Sequence, residues 1–218
     1  MDKGVLPEDG PARVGSIALS AGQRVYAEEG QLVAWVTNEP MTDAGGAWAE
    51  LSAVQATTGL VPVTLARPQR TVAADLAFSW DDFGFWFPAD VSLLETMSAG
   101  AVLATGWNVS DDWEYESEYL VQARAPFGRD FPGLAPAMYT PLPADVLDAA
   151  VMAQPPAHLG LVAASRSADV PAVVGWSVFG VDGPGPGARS LQISTVLRSW
   201  ETRYGARPLR MGDRKSVV

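Results

Sequence analysis

The sequence predicts an α/β protein, in the mixed α+β sense, with a mixed sheet flanked by helices. Three observations carry this. Compact apolar runs of about six residues alternate with segments of helical period. The connections between those runs are too long for hairpins, which favours crossovers. A hydrophobic fraction of 48% with 18% charged residues suits a 218-residue chain that folds around a core.

In chain order, residues 1–30 are punctuated by Gly and Pro and only weakly periodic, so they read as a weakly ordered lead-in ending in a short strand. Leu32–Thr37 is the first firm strand, closed by the turn residues Asn38, Glu39 and Pro40. From Ala47 the period changes. Trp48, Leu51 and Gln55 share one face of a helix of about three turns, and Gly59 stands where a helix-ending residue belongs. Residues 60–66 read as a strand that Pro62 restricts to a sheet edge or to its own first positions.

The middle of the chain is aromatic around Asp81 and Asp82. Asp90 can cap a helix whose inner face is Leu94, Met97 and Ala101. A second helix is expected near Ser110 or Asp111, with Asp111, Asp112 and Glu114 in a first turn where the helix dipole favours acids. Residues 125–143 hold five prolines and read as a connection. After it come a helix at 144–152, a buried strand at 159–163, a short helix at 169–174 and a flexible loop at 180–187. The last strong element is a helix at 191–204, whose Ile193, Val196, Leu197, Trp200 and Tyr204 make an apolar stripe ended by Gly205, with a strand at 206–211. That stripe is expected in one core with Trp48, Leu51, Leu161 and Val162, leaving Arg198 and Glu201 on the polar side.

Composition excludes several chemistries. With no cysteine there are no disulfides, zinc ribbons, iron–sulfur clusters or thiol nucleophiles, and a lone His158 cannot build a multi-histidine metal site. Residues 1–188 carry 8 basic and 23 acidic side chains, a net −15, whereas residues 189–218 carry 7 and 2, a net +5. The acidic bulk disfavours nucleic acid and anionic membranes as partners. No apolar run is long enough for a membrane span and no apolar leader is visible, so a cytoplasmic location is the default.

Three groups of residues bear on chemistry. His158 directly precedes an apolar strand, where an imidazole more often makes a loop contact than serves as a base. Gly183, Gly185 and Gly187 imitate a phosphate loop, but Pro184 and Pro186 remove the amide donors it needs. Asp81 and Asp82 beside Trp80 and Trp86, or Asp111, Asp112 and Glu114, form a carboxylate set that could work in a tryptophan-lined cleft. Acids adjacent on a strand point to opposite faces, and the later cluster lacks the spacing and central glycine of a calcium loop. No catalytic, cofactor-binding or metal-binding set can be assembled, and no cofactor is expected.

The segment Leu197-Arg198-Ser199-Trp200-Glu201-Thr202-Arg203-Tyr204-Gly205-Ala206-Arg207, with His158-Leu159-Gly160-Leu161-Val162-Ala163, Ala168-Asp169-Val170, Gly175-Trp176 and Ala125-Pro126-Phe127-Gly128, resembles the bacterial family called domain of unknown function 4253. The likeness covers roughly residues 33–212 and is most specific in the Trp-Glu-x-Arg-Tyr-Gly-Ala-Arg segment. The resemblance marks Gly175, Trp176, Arg198, Trp200, Glu201, Arg203 and Tyr204 as family-motif residues, and it implies a fold without an agreed activity. Two departures stand out. Ser177-Val178-Phe179-Gly180 replaces a Gly-Pro-x-Asn-Tyr turn, and the strands that follow in the family are absent.

Residues 213–218 also correspond to the translation of a common sequencing adapter, which implies a non-native tail and a reading frame cut short near Gly212. Residues 206–211 would then lack strand neighbours and the apolar stripe would lose part of its cover. The division expected is a lead-in (1–30), an N-terminal α/β part (31–124), a proline-rich connection (125–143), the start of the C-terminal family domain (144–212) and the tail (213–218). The function expected is a non-enzymatic binding or interaction protein with an unidentified protein partner. The alternative is a hydrolase using the carboxylates named above.

Overall fold

The computed structural model describes residues 4–27, 30–65, 87–107, 130–137, 156–176 and 187–211. These form a six-stranded mixed sheet with helices on both faces, the α/β class that the alternating pattern predicts. The strands are β1 (Gly10–Val14), β2 (Ile17–Tyr26), β3 (Leu32–Thr37), β4 (Leu60–Leu65), β5 (His158–Ala163) and β6 (Arg210–Met211), in the spatial order β1-β2-β3-β5-β4-β6. All neighbours are antiparallel except β4 and β6. The α-helices are α1 (Ala44–Thr58), α2 (Ala99–Trp107), α3 (Val170–Val174) and α4 (Ala188–Tyr204), with 3-10 turns at Val91–Glu95 and Ser167–Asp169.

The lead-in differs from expectation. Its described residues form the β1–β2 hairpin, and the strap before it is tied down by non-local bonds that no local pattern announces. Arg24 pairs with Glu8 at 2.7 Å and its Nε donates to the Pro7 carbonyl at 3.0 Å. The Arg24 amide donates to Asp9 Oδ1 at 2.7 Å, and Trp35 Nε1 donates to the Glu8 carbonyl at 3.0 Å. Trp35 is fully buried against Gly22, where a Cβ would overlap the indole and the Val36 carbonyl. Gly22 is therefore a packing requirement of the hairpin, since only a bare backbone fits beneath the ring.

Helix α1 begins three residues before its predicted start. Asp43 accepts the Gly46 amide at 3.0 Å, and this cap offsets the low helix propensity of Gly45 and Gly46. Gly59 ends the helix as predicted. Strand β4 is not an edge strand throughout, because β6 pairs with it at Thr64 and Leu65. Pro62 is nonetheless where the sheet tolerates it. The Thr64 amide points to the β6 side, donating to the Leu209 carbonyl at 2.9 Å, so the missing donor of Pro62 faces the same side beyond the end of β6. Residues 206–211 thus find a neighbour, where none was expected.

The single shared core of the sequence reading is in fact two. Trp35, Trp48, Leu51, Leu60, Leu159 and Leu161 pack on the α1 face. Val36, Val61, Val63, Val162, Val174 and Trp176 pack on the other, under α3. Alternation along each strand sends neighbours such as Leu161 and Val162 to opposite faces. The helix expected after Asp90 is likewise two elements. Asp90 caps the first 3-10 turn, accepting from Ser92 at 2.9 Å, and α2 starts afresh at Ala99. Leu94 is buried and Met97 packs beside it, but Ala101 is exposed. The helices expected at 144–152 and near Asp111, and the loop at 180–187 apart from Gly187, lie outside the described residues.

Candidate functional site

Helix α4 is rotated from its predicted phase, and the candidate site follows from that rotation. Its buried face is Ser190, Leu191, Ser194, Thr195 and Leu197. Short hydroxyl side chains allow close approach and do specific work there. Ser194 Oγ accepts the Ala172 amide at 3.0 Å, satisfying one of the free N–H groups in the first turn of α3. Thr195 and Ser190 return their hydroxyls to their own helix, on the Leu191 and Gly187 carbonyls at 2.8 Å each.

The same face carries charge. Arg198 grips Asp169 with two donors, Nε to Oδ1 at 2.5 Å and Nη2 to Oδ2 at 3.1 Å, and reaches Glu95 Oε1 at 2.6 Å. Arg198 is 15% exposed and Asp169 4%, whereas Glu95 is 75% exposed. The Asp169 hydrogen bonds hold the guanidinium more firmly protonated than usual, against the opposing effect of burial, with Glu95 adding to the hold. Glu201 does not join Arg198 on a polar side as expected. It accepts from Ser167 Oγ at 2.8 Å and faces Arg166 at 3.7 Å. Arg198 and Glu201 together clamp α4 to the turn at Ser167–Asp169.

Glu95 gives a pH prediction. Its hydrogen bond to Arg198, aided by the charge of that residue, holds its carboxyl below the usual glutamate range. A carboxyl with a depressed folded pKa stabilises the fold above its unfolded pKa and loses that contribution as pH falls through the folded value. Glu95→Gln is therefore expected to melt slightly below the native protein at neutral pH and low salt. The gap should close below about pH 4, under the ordinary glutamate value near 4.3. A gap that widened in acid would show that the Glu95–Arg198 contact does not form in solution.

With its polar side turned inward, α4 presents its apolar stripe to an open groove of about 430 Å³. Ile193, Val196, Leu197 and Trp200 form one wall. Pro171 and Trp176, at the start and just beyond the end of α3, and Val102 of α2 add to it. Pro208 and Met211 close it where β6 ends the sheet, and Gln192 and Arg210 are the polar members of the lining. Trp200 is 40% exposed, so the side chain expected in the core is instead a groove wall. Trp176 is seated by Gly175, which ends α3 at φ +67°, where an added Cβ would overlap the Phe87 backbone.

Of the seven residues singled out by the resemblance, five are accounted for above: Gly175, Trp176 and Trp200 shape the groove, and Arg198 and Glu201 clamp its helix. Tyr204 donates to the Ala135 carbonyl at 3.5 Å, and Arg203 Nε is buried without a hydrogen-bond partner. Asp81, Asp82, Asp111, Asp112 and Glu114 lie outside the described residues. His158 is buried in β5, its Nδ1 donating to the Thr37 carbonyl at 2.8 Å, while Thr37 Oγ1 accepts the Leu159 amide at 3.0 Å. Among the described residues there is no group of three or more side chains suited to hold a metal ion, and no helix is long and apolar enough to cross a membrane. Sequence reasoning missed Ser167, Ser194, Gln192 and Arg210, which carry no local signal, and read Asp169 only as the start of a short helix. No family model, curated protein or solved structure matches the chain.

Proposed function

We propose that this is a non-enzymatic binding protein of the cytoplasm, related to the domain of unknown function 4253 family, whose working surface is the groove along α4. The observation that carries this reading is the chemistry of the lining. Trp176, Trp200 and aliphatic side chains surround a concave volume to which, among the described residues, no acid, imidazole or hydroxyl contributes. Acid–base or nucleophilic catalysis needs such groups within reach of a bound substrate, whereas apolar walls with a few polar members suit recognition. The volume of about 430 Å³ lies in the range typical of small-molecule sites.

The test uses a neutral apolar dye, N-phenyl-1-naphthylamine, whose emission rises in an apolar site. Saturable binding is expected, weakened about tenfold or more in Trp200→Ser. The melting temperature should move little, because Trp200 is already 40% exposed. Binding that is absent, or indifferent to Trp200, sinks the proposal. Turnover of model esters or glycosides that disappears in Asp81→Asn or Asp82→Asn would establish the hydrolase instead.

A further inference from the structure

Resting on the groove reading, we infer that its ligand class is an apolar monoanion, a carboxylic acid with an aliphatic or aromatic body of about the size of a medium-chain acid. Two polar side chains border an otherwise apolar site, Gln192 and Arg210, and neither makes a side-chain hydrogen bond or ion pair among the described residues. Arg210 is half-buried at the end of the sheet. By contrast, the neighbouring Arg198 is committed to Asp169 and Glu95.

An uncommitted guanidinium beside an apolar wall is a costly arrangement unless something negative completes it, and a guanidinium matches a carboxylate with two parallel donors. Gln192 adds an amide that can donate to the same oxygens. The local charge agrees. The chain as a whole is strongly acidic, but residues 189–218 carry a net +5. Within the described part of that stretch the only acid is Glu201, which is occupied by Ser167 and Arg166. Among the described residues no acid pairs with Arg210, so a carboxylate approaching this corner meets an uncommitted cation. A groove of about 430 Å³ accommodates a chain of about eight carbons rather than a long helix or strand of a protein partner.

Calorimetric titration of the 218-residue protein with octanoate and with octan-1-ol, both below their aggregation limits, separates the inference from the reading beneath it. Octanoate is expected to bind about tenfold more tightly than octan-1-ol. Arg210→Gln should abolish that preference by weakening octanoate about tenfold, whereas Arg210→Lys should keep part of it. In the native protein the preference should shrink in 0.5 M salt, a readout independent of whether any variant folds.

Equal affinities, or a preference indifferent to salt and to Arg210, overturn the inference while leaving an apolar binding site. Failure of both ligands to bind removes the groove reading as well. A concentration-dependent dimer that buries Trp200 and is not dissociated by octanoate would make the occupant a second copy of the chain, and would also overturn the inference.

Discussion

Arg198→Met is expected to destabilise the protein by about 3–5 kcal/mol, measured as a shift of the urea unfolding midpoint at constant slope. The reason is asymmetry. Asp169 is 4% exposed and receives two donors from Arg198, so removing the cation strands a desolvated carboxylate that has already lost its water. Replacing both partners, Arg198→Met with Asp169→Leu, should recover most of the loss, because two apolar side chains have no charge to leave unpaired. Glu95→Gln should cost far less, since that carboxylate remains in solvent. A loss below about 1 kcal/mol in the single variant would mean that the pair is hydrated in solution.

Trp35→Ala is expected to cost a similar amount, about 3–5 kcal/mol, and to lower the melting temperature by roughly 10 °C for a chain of this size. The indole is fully buried, fills the space over Gly22 and ties the N-terminal strap to the sheet through the Glu8 carbonyl. Its removal opens a cavity and unfastens the strap together, so cleavage by a protease between residues 4 and 9 should accelerate. Unchanged cleavage would show that the strap is held by Arg24 alone.

What the sequence makes legible is periodic. Leu32–Thr37, the strand at Leu60–Leu65, the strand at His158–Ala163 and the helix closed by Gly205 are read from apolar spacing and capping residues, and they are present. The β1–β2 hairpin was illegible because Arg24, Glu8 and Trp35 hold it over long sequence separations. The phase of α4 was illegible for a different reason. The helix has an apolar stripe and a serine, threonine and arginine stripe, and spacing alone assigns the apolar one to the core. The decision lies with Asp169 and Ala172, whose needs for a cation and an acceptor are visible only once α3 is in place. Of the stripe, Leu197 is interior as expected and Ile193 packs against the core, whereas the half-buried Val196 and the exposed Trp200 line the groove.

The position of β5 has a consequence for synthesis. This strand sits between β3 and β4, which emerge from the ribosome roughly 120 and 90 residues earlier. At about 5–20 residues per second, the nascent chain waits on the order of 5–20 s before the central strand arrives. Throughout that interval β3 and β4 each present an unpaired apolar edge that only His158–Ala163 is built to fill. Such edges recruit one another between neighbouring polysomal chains, so yield during expression should depend on holdase chaperones and on translation speed across this interval more than on the stability of the finished fold.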